Sequence, residues 1–266
     1  MSKDSKIQMS KDSKIQNYKA DSPDRPAGER WVSMTNALAR AGHGLSLAEK
    51  RLVVAAASKL DSRRAPNPFQ PPKTKITAQE YAETFGVSLD TAYDQLQSAG
   101  KQLFERKITF YEPPAVKERK RAKPAKHVMR WVGEATYHDG EGWIELHWWP
   151  ALLPHLMGLR DTFTKYQLEQ ASALRSASSW RLLELLSSWQ DKGRATFKID
   201  EFATAMEATE KQRADFAAIR RKLIEPAVKE LIEKDGWLIE WDPIKTGRKV
   251  TGVAFVFRRN PQQSLL

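Results

Sequence analysis

The chain has 266 residues, of which 41% are hydrophobic, and its 44 lysines and arginines against 33 aspartates and glutamates give a formal net charge of +11 at pH 7. A chain of this length predicts one large domain or two domains of ordinary size, and its basic excess favours a polyanionic partner, with nucleic acid ahead of an anionic membrane surface. The absence of cysteine excludes disulfides and thiolate–metal sites, and no apolar run reaches the roughly 20 residues that cross a bilayer.

Residues 1–29 are predicted to form a flexible tail. The octapeptide MSKDSKIQ occurs at 1–8 and again at 9–16 without the apolar spacing of a structural repeat, and a stretch rich in proline and charge follows it. The start does not have the charged, apolar and small-residue regions of a signal peptide. Together with the lack of cysteine, this favours a cytoplasmic protein, whose folded sequence is expected from about Trp31.

Capping signals predict three helices in the first folded region. S/T-x-x-E capping boxes at 46–49 and 77–80 begin a helix over 47–60 and a short helix that ends at Gly86, a residue suited to a left-handed cap. A third helix is predicted over 89–104. The FGVS segment between the last two helices indicates a helix-turn-helix.

Three strand-like runs follow, at 107–112, 127–137 and 142–149. The last two flank HDGE, a turn that contains Asp-Gly, and are predicted to form a hairpin. Helices followed by a small sheet are typical of a winged helix. Between the first two runs lies a basic loop, 113–127, with six lysines and arginines against one glutamate.

The same order of elements recurs in the second half, although the letters differ. Pro226 is expected to remove one backbone hydrogen bond and to kink its helix. The predicted elements are a helix over 176–190, a strand over 195–199, a helix over 201–206 capped by Asp200, a helix over 214–231, and a hairpin of 236–243 with 249–258.

We therefore predict an α+β chain of two tandem winged-helix domains, each with a helix-turn-helix and a β-hairpin wing. Core packing accounts for the tryptophans on these elements better than stacking on single-stranded bases does. The predicted boundaries are 1–29 for the N-terminal tail, 30–150 for the first domain, 151–175 for a connector, 176–260 for the second domain and 261–266 for a C-terminal tail.

The sequence resembles the initiator proteins of iteron-carrying bacterial plasmids in four stretches that follow that family's order: 32–53, 76–112, 153–168 and 219–258. The last domain of that family commonly carries three basic, two apolar and one acidic residue before Pro-Ala, here RRKLIEPA at 220–227. A hairpin with Lys-x-Gly-Arg-Lys near its turn follows, here KTGRK at 245–249. Two long motifs in the right order are more specific than a lone helix-turn-helix.

The resemblance implies a DNA-binding protein that is not an enzyme and uses no cofactor. Family members bind double-stranded origin repeats, the iterons, as monomers through both winged helices. Their dimers bind an inverted repeat at the operator of their own promoter and repress it. The resemblance also implies dimerisation through the first domain, contacts with the host replication initiator and replicative helicase, melting of an adjacent A·T-rich segment, conversion of dimer to monomer by chaperones, and no membrane partner.

The helix predicted over 214–231 is the main candidate for base recognition. Short alanines let a helix approach base edges in the major groove, and Arg221 can donate two hydrogen bonds to guanine. Alternatively, the alanines reflect helix propensity on a solvated helix, and the wing is a polar hairpin tip. The candidate DNA contacts are Arg213, Ala214, Ala217, Ala218, Arg220, Arg221 and Lys222 on the helix and Lys245, Arg248 and Lys249 in the wing.

The first helix-turn-helix gives a weaker signal. Its third helix is predicted to place Leu89 at the start of a core stripe, and Asp90 and Asp94 either repel phosphates or simply suit the helix dipole. Direct base recognition by this domain stays open. The basic loop either approaches the DNA backbone or is a solvated run. The candidates are Thr91, Gln95, Ser98 and Lys101 on the helix and Arg119 and Arg121 in the loop.

Two rival functions stand beside the proposed one. An origin-nicking endonuclease would need histidines clustered beside an acidic site and an active tyrosine, but the five histidines lack H-x-H or H-E-x-x-H spacing, so no metal site is predicted. A plain transcriptional repressor would use two winged helices equally well. Protection of several direct repeats, rather than of a palindrome alone, distinguishes an initiator from a repressor.

Overall fold

The computed structural model of the chain describes residues 27–67, 69–112, 125–138, 140–160 and 163–260. The MSKDSKIQ repeat, the C-terminal tail and the part of the basic loop that carries Arg119 and Arg121 lie outside the described residues. The last residues of the predicted N-terminal tail form a short 3-10 helix, Ala27–Glu29. Within the described ranges, no helix combines the length and the apolar character that crossing a membrane requires.

Up to residue 160, short helices alternate with antiparallel strands, and a 3-10 helix at Pro150–His155 ends this part. The helices are α1 (Asn36–Arg40), α2 (Leu47–Ala57), α3 (Ala78–Phe85) and α4 (Leu89–Leu103). The strands are β1 (Trp31–Thr35), β2 (Lys73–Thr77), β3 (Lys107–Glu112), β4 (Ala125–Arg130), β5 (Val132–His138) and β6 (Trp143–Trp148).

The capping box predicted at 46–49 is confirmed, whereas at 77–80 only the threonine caps its helix, because the carboxylate of Glu80 pairs with Arg30 and Lys59 instead. Ser46 forms a capping box with Glu49 at the start of α2, and the hydroxyl of Thr77 caps α3. Gly86 ends α3 with a φ of 58°, in the left-handed region that favours glycine. These residues act through neighbours three or four positions away, which is why the local sequence predicts them well.

Two small antiparallel sheets follow the helix-turn-helix. β2, β6 and β5 form one, and the β5–β6 hairpin is confirmed, whereas β3 and β4 pair separately. The single strand predicted over 127–137 is wrong, because the chain leaves one sheet and enters the other at Trp131. The buried Trp131 indole lies edge-on to His43 and donates to the His43 carbonyl oxygen at 3.3 Å.

The rest of the chain repeats the pattern, with a 3-10 helix at Gln190–Lys192. β8, β10 and β9 form an antiparallel sheet in that order, and the predicted β9–β10 hairpin is confirmed. The elements are β7 (Phe163–Gln167), α5 (Leu168–Ser172), α6 (Ala177–Ser187), β8 (Arg194–Lys198), α7 (Ile199–Ala205), α8 (Glu210–Arg213), α9 (Phe216–Ile219), α10 (Glu225–Asp235), β9 (Trp237–Thr246) and β10 (Lys249–Arg259).

The cap predicted at Asp200 is wrong. α7 begins directly after Lys198, which has no capping side-chain hydrogen bond, so Asp200 lies inside the first helical turn. A carboxylate there suits the positive end of the helix dipole without capping the helix. The acidic residue therefore correctly indicates that a helix begins nearby, but it does not give the residue at which the helix begins.

The continuous helix predicted from residue 214 is also wrong. Ala214 ends α8, and Asp215 starts a new helix by accepting a hydrogen bond from the backbone N–H of Ala217 at 2.9 Å. A π-helical turn, Arg220–Ile224, then joins α9 to α10. Pro226 follows this turn directly, within the first turn of α10, where a missing N–H is best tolerated.

One connected apolar core links the two halves of the molecule. β1 pairs with β7, from Trp31 opposite Gln167 to Thr35 opposite Phe163, so the predicted connector contributes a strand and α5 to the packed structure. α6 is buried from Ser179 onward, because it packs against α1 and β7 as well as against α10. Most of its buried side chains are apolar, as expected of a helix covered on every side, but Arg181 and Glu184 are buried with them.

Candidate nucleic-acid interface

Arg220, Arg221 and Lys222 form a cationic run on the helix that α9, the π-helical turn and α10 build together. All three side chains are exposed. The buried Ile219 before the run and Leu223 after it fix this stretch of helix to the core. The apolar residues thus orient three consecutive cations toward solvent, where they can attract phosphates.

The three side chains of the cationic run differ in whether they pair with other described residues. The guanidinium Nε of Arg220 lies 3.4 Å from a carboxylate oxygen of Glu225, an exposed ion pair. Among the described residues, no side-chain hydrogen bond or ion pair engages Arg221 or Lys222. These two cations therefore have all of their donors available for an external ligand.

Arg213 and Ala214 precede this helix rather than lie on it. The guanidinium of Arg213 donates from Nε to the carbonyl of Ala208 at 2.9 Å and from Nη1 to the hydroxyl of Thr204 at 3.0 Å. Arg213 thus braces the turn between α7 and α8 with two of its donor groups. The exposed Ala214 lies at the end of α8.

Small side chains and an unusual backbone adjoin the cationic run. Ala217 and Ala218 are half-buried in α9, and neither projects far from the helix. In the π-helical turn, the backbone N–H of Glu225 donates to the carbonyl of Arg220, five residues back. π-helical turns are rare in proteins, and those that occur often lie at functional sites. The unusual backbone therefore points to the same segment as the exposed cations.

The tip of the β9–β10 hairpin carries Lys245, Arg248 and Lys249, which we call the wing tip. Gly247 has a φ of 60° and permits the tight turn between the strands. All three cations are exposed, and no described residue forms a side-chain hydrogen bond or ion pair with any of them. The second winged helix therefore presents free cations on both its helix and its wing.

The polar residues of α4 in the first winged helix already have partners within the protein. The hydroxyl of Thr91 accepts a hydrogen bond from Ser88 at 2.8 Å. The side-chain oxygen of Gln95 accepts from the hydroxyl of Tyr81, also at 2.8 Å. Burial raises the pKa of Tyr81 to about 12, which keeps this donor protonated. Gln95 therefore keeps its amide NH2 donors and one acceptor position for a ligand.

The next turn of α4 shows the same tendency. The hydroxyl of Ser98 accepts from Gln102 at 3.3 Å, and the ammonium of Lys101 lies 5.6 Å from the centre of the Tyr137 ring. Asp90 and Asp94, both exposed, share the outer face of the same helix. The structure thus brings all four predicted α4 candidates to one exposed region, but with no net positive charge.

Three surface residues differ from the sequence-based assignments or were missed. Leu89 is 50% exposed at the start of α4 and Trp149 is 38% exposed after β6, so placing them in the core is wrong. Lys211, exposed in α8, adds a cation to the segment before the cationic run. The Thr209 capping box, which begins α8, is the signal that predicts Lys211 on a helix of its own.

The histidines serve packing and ion pairs. Burial, reinforced by nearby Arg181 and Lys50, lowers the pKa of His43 well below its usual value. The ring nitrogens of His147 lie 3.2 Å from Glu134 and 3.0 Å from Glu145. Across the part of the chain that the structure describes, no group of three or more His, Asp or Glu side chains is arranged to hold a metal ion.

Both winged helices match described protein families. Residues 31–187 match the family described as Initiator Replication protein, WH1. Residues 198–257 match the family described as Initiator Rep protein, WH2. Together the two matches cover the helix-turn-helix and the wing of each half.

Curated relatives from Escherichia coli are similar over most of the chain. An uncharacterised 27.6 kDa protein is 25% identical over 239 residues, which cover 86% of this chain and 95% of that protein. A replication initiation protein is 24% identical over 241 residues, which cover 88% of this chain and 72% of that protein. The crystal structure of the Pi initiator protein in complex with iteron DNA has the same fold, with a TM-score of 0.73 at 20% identity, over 88% of this chain and 99% of that one.

Proposed function

Because the chain belongs to the family of initiator replication proteins with two winged-helix domains, we propose that it starts replication of a plasmid by binding double-stranded DNA at directly repeated origin sites. The Pi initiator protein, which shares the fold, was crystallised on iteron DNA, and this supports a duplex repeat as the ligand. The protein acts by binding, and its chemistry is that of hydrogen bonds and charges.

The observation that carries this proposal is the exposed Arg221 within the cationic run, which has no side-chain partner in the described part of the chain. Its planar guanidinium can donate two hydrogen bonds to O6 and N7 of a guanine in the major groove, a contact that discriminates by about 1–3 kcal/mol against the wrong base. The short side chains of Ala217 and Ala218 let the helix come close enough for that contact. Arg220 and Lys222 flank it and bind phosphates on either side.

The wing tip supplies a second, sequence-independent contact. Lys245, Arg248 and Lys249 bind the DNA backbone or the minor groove beside the helix, which fixes the position of the helix on the duplex. Arg213 contributes by holding the turn between α7 and α8, and its remaining donor group can reach a phosphate. The second winged helix is therefore the main base-recognising unit.

The first winged helix makes a weaker contact with the same repeat. Thr91, Ser98 and Lys101 are exposed on α4, and the free amide of Gln95 lies between them. Asp90 and Asp94 keep this surface from binding phosphates strongly. We assign to this helix a positioning role with limited base discrimination.

The finer steps follow from the family resemblance. A monomer binds the origin repeats, whereas a dimer joined through the first winged helix binds the inverted repeat of its own operator and represses transcription. The bound initiator recruits the host replication initiator and the replicative helicase, and chaperones convert dimers to monomers.

Footprinting on the origin region of the plasmid that encodes the chain tests the proposal. An initiator protects several direct repeats spaced by whole helical turns, since each bound monomer then faces the same side of the duplex. Protection of a palindrome alone would instead assign the chain to plain transcriptional repression. An absence of any protected site at moderate salt would overturn DNA recognition altogether.

A further inference from the structure

Glu207 has a backbone conformation that rarely suits it. It follows α7 with a φ of 56°, the one positive φ outside glycine among the described residues. The N–H of Ala208 donates to the carbonyl of Ala203 at 2.8 Å, and the N–H of Glu207 donates to that of Thr204 at 3.0 Å. This is the helix-ending motif whose left-handed position is usually glycine, because a Cβ is disfavoured there. An outlier of this kind points to a function for the side chain.

The carboxylate of Glu207 reaches across to the other winged helix. One of its oxygens accepts hydrogen bonds from the backbone N–H groups of His43 and Gly44, the second at 2.7 Å. Both belong to the loop between α1 and α2. On its other side this loop is bridged to β3, where Gly42 and Thr109 exchange two backbone hydrogen bonds of 2.9 and 2.8 Å. Glu207 therefore binds the backbone of a loop that is also hydrogen-bonded to β3 of the first winged helix.

Arg181 makes a second connection between the α1–α2 loop and the end of α7. Its guanidinium is buried and donates to the carbonyl of Ala41 at 2.6 Å and to the carbonyl of Ala205, at the end of α7, at 2.8 Å. Nη1 of Arg181 lies 3.1 Å from a carboxylate oxygen of Glu184. One side chain therefore binds the α1–α2 loop and the end of α7 at the same time.

Further buried charges complete the junction. The ammonium of Lys50 lies 2.5 Å from Glu184 and 3.1 Å from Nδ1 of His43. Nε2 of His43 donates to the carbonyl of Leu38 at 2.8 Å, so the neutral ring accepts with Nδ1. Charges buried in this way have partners in one arrangement only, whereas an apolar interface can slide without losing a partner.

We propose that Glu207 and Arg181 are positioning residues that fix the separation and rotation of the two winged helices, and so set the spacing at which one chain recognises the two halves of a repeat. The inference rests on the proposed function. Moving one half of a duplex site by a single base pair shifts it by about 3.4 Å and rotates it by roughly 34°. If the junction between the two winged helices is rigid, such a shift removes the DNA contacts of one of them. A flexible junction lets each winged helix follow its own half of the site.

Glu207→Gly separates positioning from stability. Glycine removes the carboxylate and its two hydrogen bonds but also relieves the left-handed strain, so the two effects on stability oppose each other and the variant is expected to stay folded, which its melting temperature checks. Glu201→Ala is the matched control, because Glu201 is an exposed carboxylate on α7 that forms only an outer ion pair with Lys198. Arg181→Lys is a second variant, whose single ammonium cannot bind Ala41 and Ala205 with the geometry of a guanidinium.

The measurement is the Kd of the full chain for the footprinted repeat and for duplexes with its two halves one base pair closer together or farther apart. We expect the wild-type chain and Glu201→Ala to prefer the natural spacing by about tenfold or more, the ratio that a lost charged hydrogen bond gives. For Glu207→Gly and Arg181→Lys, the preference should fall to within about threefold. Binding to a duplex with only the half contacted by the second winged helix should not change.

The outcomes distinguish this inference from the function on which it rests. A wild-type chain that shows no spacing preference would overturn recognition of one repeat by two surfaces, and the positioning role with it. A wild-type preference that Glu207→Gly and Arg181→Lys both retain would overturn the positioning role alone. If Arg181→Lys did not fold, the result for Glu207→Gly would still decide.

Discussion

The two helix-turn-helix units share an architecture but present different chemistry. α4 is a regular helix whose exposed face carries Asp90 and Asp94, and whose Thr91 and Gln95 accept hydrogen bonds from Ser88 and Tyr81. The corresponding helix of the second unit restarts at Asp215, passes through a π-helical turn and presents Arg221 and Lys222 without partners among the described residues. The motif therefore fixes where a helix lies, while the side chains decide what it can bind.

The largest predicted effect compares the two helices directly. Replacing Arg220, Arg221 and Lys222 together by alanine should weaken binding to the origin repeat by about a thousandfold, since one base contact and two phosphate contacts are lost. Replacing Thr91, Ser98 and Lys101 by alanine should weaken it by only about tenfold. Fluorescence anisotropy at one fixed salt concentration measures both. Equal losses would mean that the helices contribute equally.

Single substitutions of Arg221 test the difference between the two helices more specifically. Arg221→Ala should weaken specific binding by about 5- to 150-fold, which corresponds to the 1–3 kcal/mol of one bidentate base contact. Arg221→Lys keeps the charge but not the planar fork, so it should recover affinity without recovering base discrimination. Lys229→Ala is the matched control, because Lys229 is exposed on α10 and forms only an exposed pair with Glu233. A similar loss in this control would remove the special role of Arg221.

The wing tip should affect salt dependence more than selectivity. Replacing Lys245, Arg248 and Lys249 by alanine should make the slope of log K against log salt shallower by about three, near 0.9 for each phosphate contact. Relative affinities for mutated repeats should stay as they are, because phosphate contacts carry no sequence information. Titrations at several salt concentrations give the slope, and an unaltered slope would exclude the wing tip from the interface.

The smallest predicted effect is on the pH dependence of folding stability, through His43 in the buried junction between the two winged helices. Because the pKa of buried His43 is lowered, the unfolded chain binds a proton there more readily than the folded chain does. The free energy of unfolding should therefore fall as the pH drops below 6.5, with a slope of up to about 1.4 kcal/mol per pH unit. Urea unfolding on either side of that pH measures it. His43→Gln should reduce the slope, and an equal slope in this variant and in the wild-type chain would contradict this assignment.

Local signals in the sequence predicted much of the fold. The capping box at Ser46, the side-chain cap at Thr77, the left-handed Gly86 and the turns of two hairpins act within a few residues, so they locate the elements of both winged helices. The two-domain α+β fold and the family predicted from the RRKLIEPA and KTGRK motifs are confirmed by the matched families.

The features that the sequence did not predict depend on distant partners. β1 pairs with β7, more than a hundred residues away, and at the strand break the Trp131 indole donates to the carbonyl of His43, 88 residues away in the sequence. The Asp215 restart and the π-helical turn were missed because the alanine-rich segment has the period of one helix. The DNA contacts assigned to individual residues stay predictions, although the structure adds that Arg213 and Gln95 already have partners within the protein.

Selection of duplexes from a library in which every position of the footprinted repeat is randomised tests the central claim most directly. The account predicts that the wild-type chain selects a guanine in the half contacted by the second winged helix, and that Arg221→Ala loses this preference while the rest of the selected sequence is retained. An Arg221→Ala chain that selects the same guanine, together with a Thr91/Ser98/Lys101 variant that loses it, would contradict the account.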